Sequence, residues 1–129
     1  MQSLRISADF ATTPDVIYAA WLSPEGHTAM TGAKAEGTSK VGGKFLAWDG
    51  YITARTLDLH PNWRIVQAWR TPDFADGDPD SRLAVEVNAI PGGTRVIIDQ
   101  TRITSGVENY EKGWEEYYFK PMRAYFGAL

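Results

Sequence analysis

The chain has 129 residues, of which 43% are hydrophobic and 22% charged, with a formal net charge of −3 and no cysteine. This balance predicts one globular domain over residues 1–129 and argues against nucleic-acid binding, which needs clustered cations. The lack of cysteine excludes disulfides and thiolate metal sites. Without a signal peptide or an apolar run of ~20 residues, we expect a cytoplasmic protein that does not enter a membrane.

The first part of the chain predicts one strand and two short helices. Apolar side chains recur at every second position, as in a half-buried strand, at Leu4, Ile6, Ala8 and Phe10. Thr13-Pro14-Asp15 and Ser23-Pro24-Glu25 then each supply a capping hydroxyl, a proline for the first helical position and an early acid. We therefore expect a helix after each signal, the second ending near Met30.

The middle of the chain predicts antiparallel strands separated by turns. The expected strands lie at residues 33–36, 44–49, 51–59, 63–70, around 83–87 and at 94–103. Asp49-Gly50 is typical of a two-residue hairpin. The acidic segment 72–80 is expected to be a solvated loop. Its aspartates resemble the start of a calcium loop, but Ser81 and Val87 stand where glycine and glutamate are required.

Residues 107–128 predict one long amphipathic helix. Large apolar side chains recur at steps of three and four residues, at Val107, Tyr110, Trp114, Tyr117, Tyr118, Met122, Tyr125 and Phe126. Ser105-Gly106-Val107-Glu108 matches a capping box, and Pro121 is expected to kink the helix or begin its last segment. A helix of this kind against a curved sheet encloses apolar space, which is either a core or a ligand chamber.

The order of elements is that of the α+β helix-grip architecture. Several groups of residues, in chain order, carry a more specific resemblance: Phe10…Pro14-x-x-Ile17-Tyr18, Val41-Gly42-Gly43-Lys44-Phe45 with Trp48-Asp49-Gly50-Tyr51-Ile52, Leu59…Ile65-Val66-Gln67-Ala68-Trp69-Arg70, Gly93-Thr94-Arg95-Val96, and Gly113-Trp114-x-x-Tyr117-Tyr118-Phe119-x-Pro121-Met122…Tyr125-Phe126-Gly127. Together they resemble the family named for the C-terminal domain of the activator of Hsp90 ATPase, within the START-like superfamily. The resemblance implies a START-like, Bet v 1-like domain. Its curved antiparallel sheet of six or seven strands would wrap on the C-terminal helix, with two short helices after the first strand.

The resemblance also implies a function, because relatives in the superfamily bind lipids, polyketides, hormones or other apolar small molecules. The leading hypothesis is a non-enzymatic protein that holds a small apolar or amphipathic ligand between sheet and helix. Ligand pockets are mostly apolar and aromatic, so we predict a lining that includes Trp48, Trp69, Trp114, Tyr117 and Tyr118. The alternative for each of these side chains is ordinary core packing.

Two polar residues of the predicted strands are candidates for orienting a ligand. Gln67 shares a face with Ile65 and Trp69, so an inward side chain is expected. Arg55 shares a face with Leu57 and Leu59, which suggests an inward side chain unless a bulge reverses the alternation.

Other functions remain open on the sequence alone. The family resemblance implies, as an alternative, a module that interacts with an Hsp90-type chaperone. A third possibility is a cyclase or hydrolase using polar groups of the chamber. His27 with Glu25 could contribute to the chamber entrance, but no spacing in the sequence specifies the His–carboxylate pair that general base catalysis would need. No catalytic residue, cofactor or metal is predicted, and the protein is expected to be a monomer or a homodimer.

Overall fold

The computed structural model describes residues 1–129 and contains one curved, seven-stranded antiparallel sheet. The strands are β1 Gln2–Phe10, β2 Glu36–Gly37, β3 Lys44–Ala47, β4 Ile52–His60, β5 Arg64–Arg70, β6 Ser81–Ile90 and β7 Gly93–Ile103. Their order across the sheet is β1-β7-β6-β5-β4-β3-β2, so that only β1 is out of chain order. The predicted helix-grip sheet is confirmed.

Two short helices follow β1, as predicted: α1 spans Pro14–Leu22 and α2 spans Pro24–Thr31. The Ser23 hydroxyl accepts a hydrogen bond from the Gly26 amide at 3.1 Å, which is the predicted cap of α2. Thr13 occupies the corresponding position before α1, but its side chain makes no capping hydrogen bond. The chain leaves α2 through Gly32, whose φ of 82° is the left-handed conformation that glycine adopts readily.

The C-terminal helix is continuous but not uniform. It consists of α3 (Val107–Gly113), a π-helical turn (Trp114–Phe119) and α4 (Lys120–Phe126). In the π-turn the Lys120 amide donates to the Glu115 carbonyl, five residues earlier. Pro121 has no amide hydrogen and its ring crowds the preceding turn, which favours a widened turn directly before it. The last helical segment, α4, begins at Lys120 with Pro121 as its second residue, in line with the prediction that this proline marks the start of that segment.

The capping box predicted at the start of α3 is wrong. Gly106, with φ of 78°, occupies the cap position, and no side chain hydrogen-bonds the first turn. The chain enters the helix through this left-handed glycine, so Ser105 lies one residue too early to cap.

The two-residue hairpin predicted between β3 and β4 is also wrong. Ala47 pairs with Ile52, which leaves a four-residue loop, residues 48–51. Trp48 and Asp49 adopt positive φ angles of 52° and 57°, and the Asp49 amide donates to the Lys34 carbonyl at 2.9 Å. This long-range bond holds the loop against the segment before β2 and turns Trp48 towards the C-terminal helix.

The core lies between the inner face of the sheet, α1 and the C-terminal helix. At its centre, four aromatic side chains form a cluster in which every pair of ring centroids is 4.9–6.4 Å apart: Trp21, Trp69, Trp114 and Tyr118. We call this set the aromatic cluster. The cluster therefore fills the middle of the interior. No helix of the protein has the length and apolar character needed to cross a membrane.

Candidate functional site

A cleft of about 550 Å³ opens between the β3–β4 loop, the ends of β4 and β5, and the C-terminal helix. Five of the seven side chains predicted to line a ligand chamber lie in its wall: Trp48, Trp69, Trp114, Tyr117 and Tyr118. Tyr117 stands at the mouth with 54% of its surface exposed, and its ring meets Trp48 edge to face at 5.3 Å. The structure therefore brings these five residues together; their contact with a ligand stays a prediction.

The floor of the cleft is the outer side of the aromatic cluster. Trp69, Trp114 and Tyr118 are buried and pack on one another, so each is both a core residue and a wall residue. The π-turn contributes Trp114, Tyr117 and Tyr118 to the cleft. A widened turn aims side chains differently from a regular helix, and such turns are frequent at functional sites.

Gln67 points inward, as predicted, but lies behind the cleft rather than in its wall. Its side-chain oxygen accepts from the Trp21 indole at 3.3 Å, and its nitrogen donates to the Thr56 hydroxyl at 3.3 Å. Both polar atoms therefore have partners inside the protein, and Gln67 is not among the residues of the cleft wall.

Arg55 is a correction, since its side chain is exposed on the outer face of the sheet and away from the cleft. The cause is a register shift in β4: Thr56 pairs with Gln67, whereas Asp58 pairs with Val66. Leu57 is the extra residue, so Leu59 is half-buried while Leu57 and Arg55 are exposed. The bulge at Leu57 reverses the in–out alternation of side chains along β4. An inward Leu59 therefore does not imply an inward Arg55.

Sequence reasoning missed the polar rim of the cleft, which is built by Tyr51, Thr71, Asp73, Asn109 and Tyr110. The Tyr51 hydroxyl donates to the Asp73 carboxylate, and this hydrogen bond raises the pKa of Tyr51. The hydroxyls of Thr71 and Tyr110 are 3.0 Å apart, and burial raises the pKa of Tyr110. Asp73 is the one charged residue in the cleft wall. It belongs to the loop predicted to be solvated, and no local pattern links it to Tyr51.

One residue of the cleft wall, Trp48, has a buried indole nitrogen that lacks a hydrogen-bond partner. Trp48 Nε1 is buried and donates no hydrogen bond within the protein. An unsatisfied buried donor costs on the order of 1–3 kcal/mol, so this side chain carries an energetic cost within the cleft wall.

His27 is buried next to the floor and is not at a cleft entrance with Glu25 as the sequence suggested. Its Nδ1 lies 2.9 Å from the Trp21 carbonyl, which only accepts, so Nδ1 carries the proton and donates. Nε2 therefore accepts from the Tyr118 hydroxyl at 2.7 Å. Burial lowers the pKa of His27 to about 4 and raises that of Tyr118. This neutral pair ties α2 to the floor of the cleft.

The fold resembles solved structures along its whole length. A structure of an Hsp90 activator from Plasmodium falciparum superposes with a TM-score of 0.87 at 23% identity, covering 100% of this chain and 99% of that one. The Aha1 dimer from Colwellia psychrerythraea superposes with a TM-score of 0.80 at 14% identity, covering 98% of each chain. At these identities the likeness establishes the fold.

Sequence comparison adds the family. The Homo sapiens activator of 90 kDa heat shock protein ATPase homolog 1 is 27% identical over 136 residues, covering 96% of this chain and 37% of that relative. The Dictyostelium discoideum homologue is 28% identical over 116 residues, covering 88% of this chain and 30% of its own length. The chain thus spans about a third of these relatives. The family model for the "Activator of Hsp90 ATPase homolog 1-like protein" matches residues 11–127. The chain therefore belongs to the Activator of Hsp90 ATPase homolog 1-like family.

Proposed function

We propose that this domain is a chaperone-interacting module that binds the Hsp90-type chaperone of its own cell. The observation that carries the proposal is the family match over residues 11–127, together with curated relatives named as activators of the 90 kDa heat shock protein ATPase. These relatives are about three times as long as this chain. The proposal is therefore limited to binding, and stimulation of the chaperone's ATPase is measured as a separate outcome.

Titration of the purified domain into the Hsp90-type chaperone of its own organism tests this proposal. Calorimetry is performed with nucleotide-free, ADP-bound and ATP-bound chaperone, with ATPase rates measured on the same samples. A helix-grip protein from outside the family is the fold-matched control. We expect saturable binding of the domain and none of the control. Equal heats for both proteins in every nucleotide state would refute the proposal.

The cleft favours a second function, the binding of a small apolar or amphipathic ligand. Its volume of about 550 Å³ falls within the roughly 300–1,000 Å³ typical of ligand pockets. Aromatic walls with a few polar groups at one rim match the composition of such pockets. The π-turn that supplies three residues of this wall also supports a binding role, because such turns are frequent at functional sites. No comparable observation favours a cyclase or hydrolase.

Native mass spectrometry of protein purified from its own host tests the cleft. We expect a retained small molecule that is released on mild denaturation. The indole N–H resonances of Trp48 and Trp114 are followed in parallel while an extract of host metabolites and lipids is added, with the exposed Trp63 as internal control. A bare chain whose cleft indoles do not shift relative to Trp63 would refute ligand binding.

A further inference from the structure

We infer that the cleft selects cationic amphipaths, with an alkylammonium group held at Asp73 and the surrounding rings and an apolar portion lying on the aromatic floor. This inference rests on the proposal that the cleft binds a small ligand, and it specifies the chemical class of that ligand. Three features carry it: the charge of the rim, the arrangement of the rings and the lack of cations in the wall.

The rim carries an uncompensated negative charge. Asp73 lies in none of the eight ion pairs of the molecule, although other aspartates, such as Asp9 and Asp99, are paired with arginine. One carboxylate oxygen of Asp73 accepts from the Tyr51 hydroxyl, and the other has no partner in the protein. The charge of this carboxylate also contributes, after burial, to the raised pKa of Tyr110, another residue of the rim. A cationic group at the rim could therefore contact the free carboxylate oxygen and would be attracted by the negative charge of Asp73, which no other cation neutralises.

The aromatic rings that line the same cleft as Asp73 suit an alkylated cation. The Trp48 and Tyr117 rings meet at an interplanar angle of 71°, so the wall presents ring surfaces in two nearly perpendicular directions. Tyr51, whose hydroxyl donates to Asp73, and Tyr110, whose pKa the Asp73 charge helps to raise, add two further rings to the cleft lining. Aromatic faces attract cations by about 0.5–1 kcal/mol each at exposed sites, and cages of this kind recognise quaternary ammonium groups.

The cleft wall also disfavours anionic ligands, because its only charged residue is an aspartate. None of the twelve lining residues is lysine or arginine, so a carboxylate or phosphate head would meet Asp73 without a compensating cation. Placing like charges together is an effective way to reject the wrong ligand. The aromatic floor and the neighbouring Ile52 side chain are largely apolar, so they accept an alkyl or aromatic tail whatever the charge of the head.

Three ligands with the same eight-carbon tail test the selection: octyltrimethylammonium, octanol and octanoate. Each is titrated below its aggregation concentration into the full chain, with calorimetry and tryptophan fluorescence as readouts. We expect the cation to bind about five- to tenfold more tightly than octanol, as one or two weak cation contacts imply, and octanoate to bind most weakly.

Asp73→Asn is the decisive variant, because asparagine keeps the size and can still accept from Tyr51. It should remove the preference for the cation, so that octyltrimethylammonium and octanol bind with similar affinity. The matched control is Asp76→Asn, in the same exposed loop but outside the cleft wall, which should keep the preference.

The outcomes separate the inference from the function on which it rests. Equal or tighter binding of octanol or octanoate, or a preference that survives in Asp73→Asn, overturns the selection for cations while the cleft remains a binding site. If none of the three ligands binds, ligand binding by the cleft fails together with the inference.

Discussion

Buried polar side chains determine how the aromatic cluster is held. The Trp21 indole donates to Gln67, the Trp114 indole donates to Gln100 at 3.0 Å, and the Tyr118 hydroxyl donates to His27. The three acceptors lie on β5, β7 and α2, so each ring is fixed to a different element. Buried polar groups need such partners, and here the partners also set the position of the cleft floor.

Replacing Gln67 tests its structural role. Gln67→Leu leaves the Trp21 indole and the Thr56 hydroxyl without their partner, so we expect a loss of about 1–3 kcal/mol in the free energy of unfolding. Arg55→Leu, on the exposed face of the neighbouring strand, is the control and should change stability by less than about 0.5 kcal/mol. Urea denaturation measures both. A Gln67→Leu protein as stable as the control would show that Gln67 is dispensable.

His27 predicts a specific dependence of stability on pH. The unfolded chain protonates this histidine near its usual pKa of 6.5, whereas the folded chain does so only near pH 4. Between these values the unfolded state binds more protons, so the stability present above pH 6.5 is lost as pH falls towards 4. The difference in pKa corresponds to roughly 3 kcal/mol. Chemical denaturation at half-unit steps of pH measures this loss.

Two histidine variants isolate that contribution. His27→Gln should be less stable at pH 7 and should show a shallower decline between pH 6.5 and 4, because the titrating group is gone. His60→Gln changes the other histidine, which lies half exposed beside Asp58, and should keep the decline of the parent protein. A decline that is flattened in His60→Gln and unchanged in His27→Gln would contradict the assignment.

At the scale of elements, one arginine organises the loop that carries Asp73. Arg70, at the end of β5, donates to the carbonyls of Asp78 at 2.6 Å and Ala75 at 2.8 Å, and its guanidinium lies 5.3 Å from the centre of the Phe74 ring. The Arg70 guanidinium therefore holds the backbone of this loop in place, and the loop in turn positions Asp73 at the rim of the cleft.

Arg70→Lys tests this organisation. Lysine keeps the charge but cannot reach two carbonyls with a planar fork, so we expect faster amide hydrogen exchange in residues 72–80 with little change in the rest of the sheet. Arg82→Lys is the control, because Arg82 is exposed on the adjacent strand and makes no side-chain hydrogen bond. Unchanged exchange in the loop of Arg70→Lys would assign its order to another contact.

At the scale of the whole molecule, the sheet and the C-terminal helix share one core. Phe119 in the π-turn is buried and packs on Phe10 of β1, with ring centroids 6.1 Å apart. Met122 of α4 is also fully buried. A helix attached in this way is expected to unfold together with the sheet rather than before it.

Phe119→Ala tests this shared core without altering a residue of the cleft wall. We expect a loss of about 3–5 kcal/mol in the free energy of unfolding, with coincident transitions by far-ultraviolet circular dichroism and tryptophan fluorescence. Tyr125→Ala, which removes an exposed aromatic ring from the same helix, should cost far less. If helical signal is lost before tryptophan fluorescence changes, the helix is a separate unit.

The predictions that held depended on local patterns. Period-two alternation predicted the inner face of β5 and of β6, and the Ser23-Pro24 signal predicted the start of α2, because each depends on neighbours in sequence. The predictions that failed depended on distant contacts. The bulge that exposes Arg55 is set by pairing with β5, and the loop after β3 is set by the bond from Asp49 to Lys34.

By itself, the sequence determined the helix-grip order of elements and the aromatic character of the interior, since hydrophobic periodicity and proline signals are local properties. Only the tertiary structure decided which aromatic residues close the core and which leave a cleft. It also decided that Asp73 meets Tyr51 at the rim while His27 is buried behind the floor. These outcomes depend on bulges, loop conformations and side-chain pairs that form between residues far apart in the chain, which no local pattern encodes.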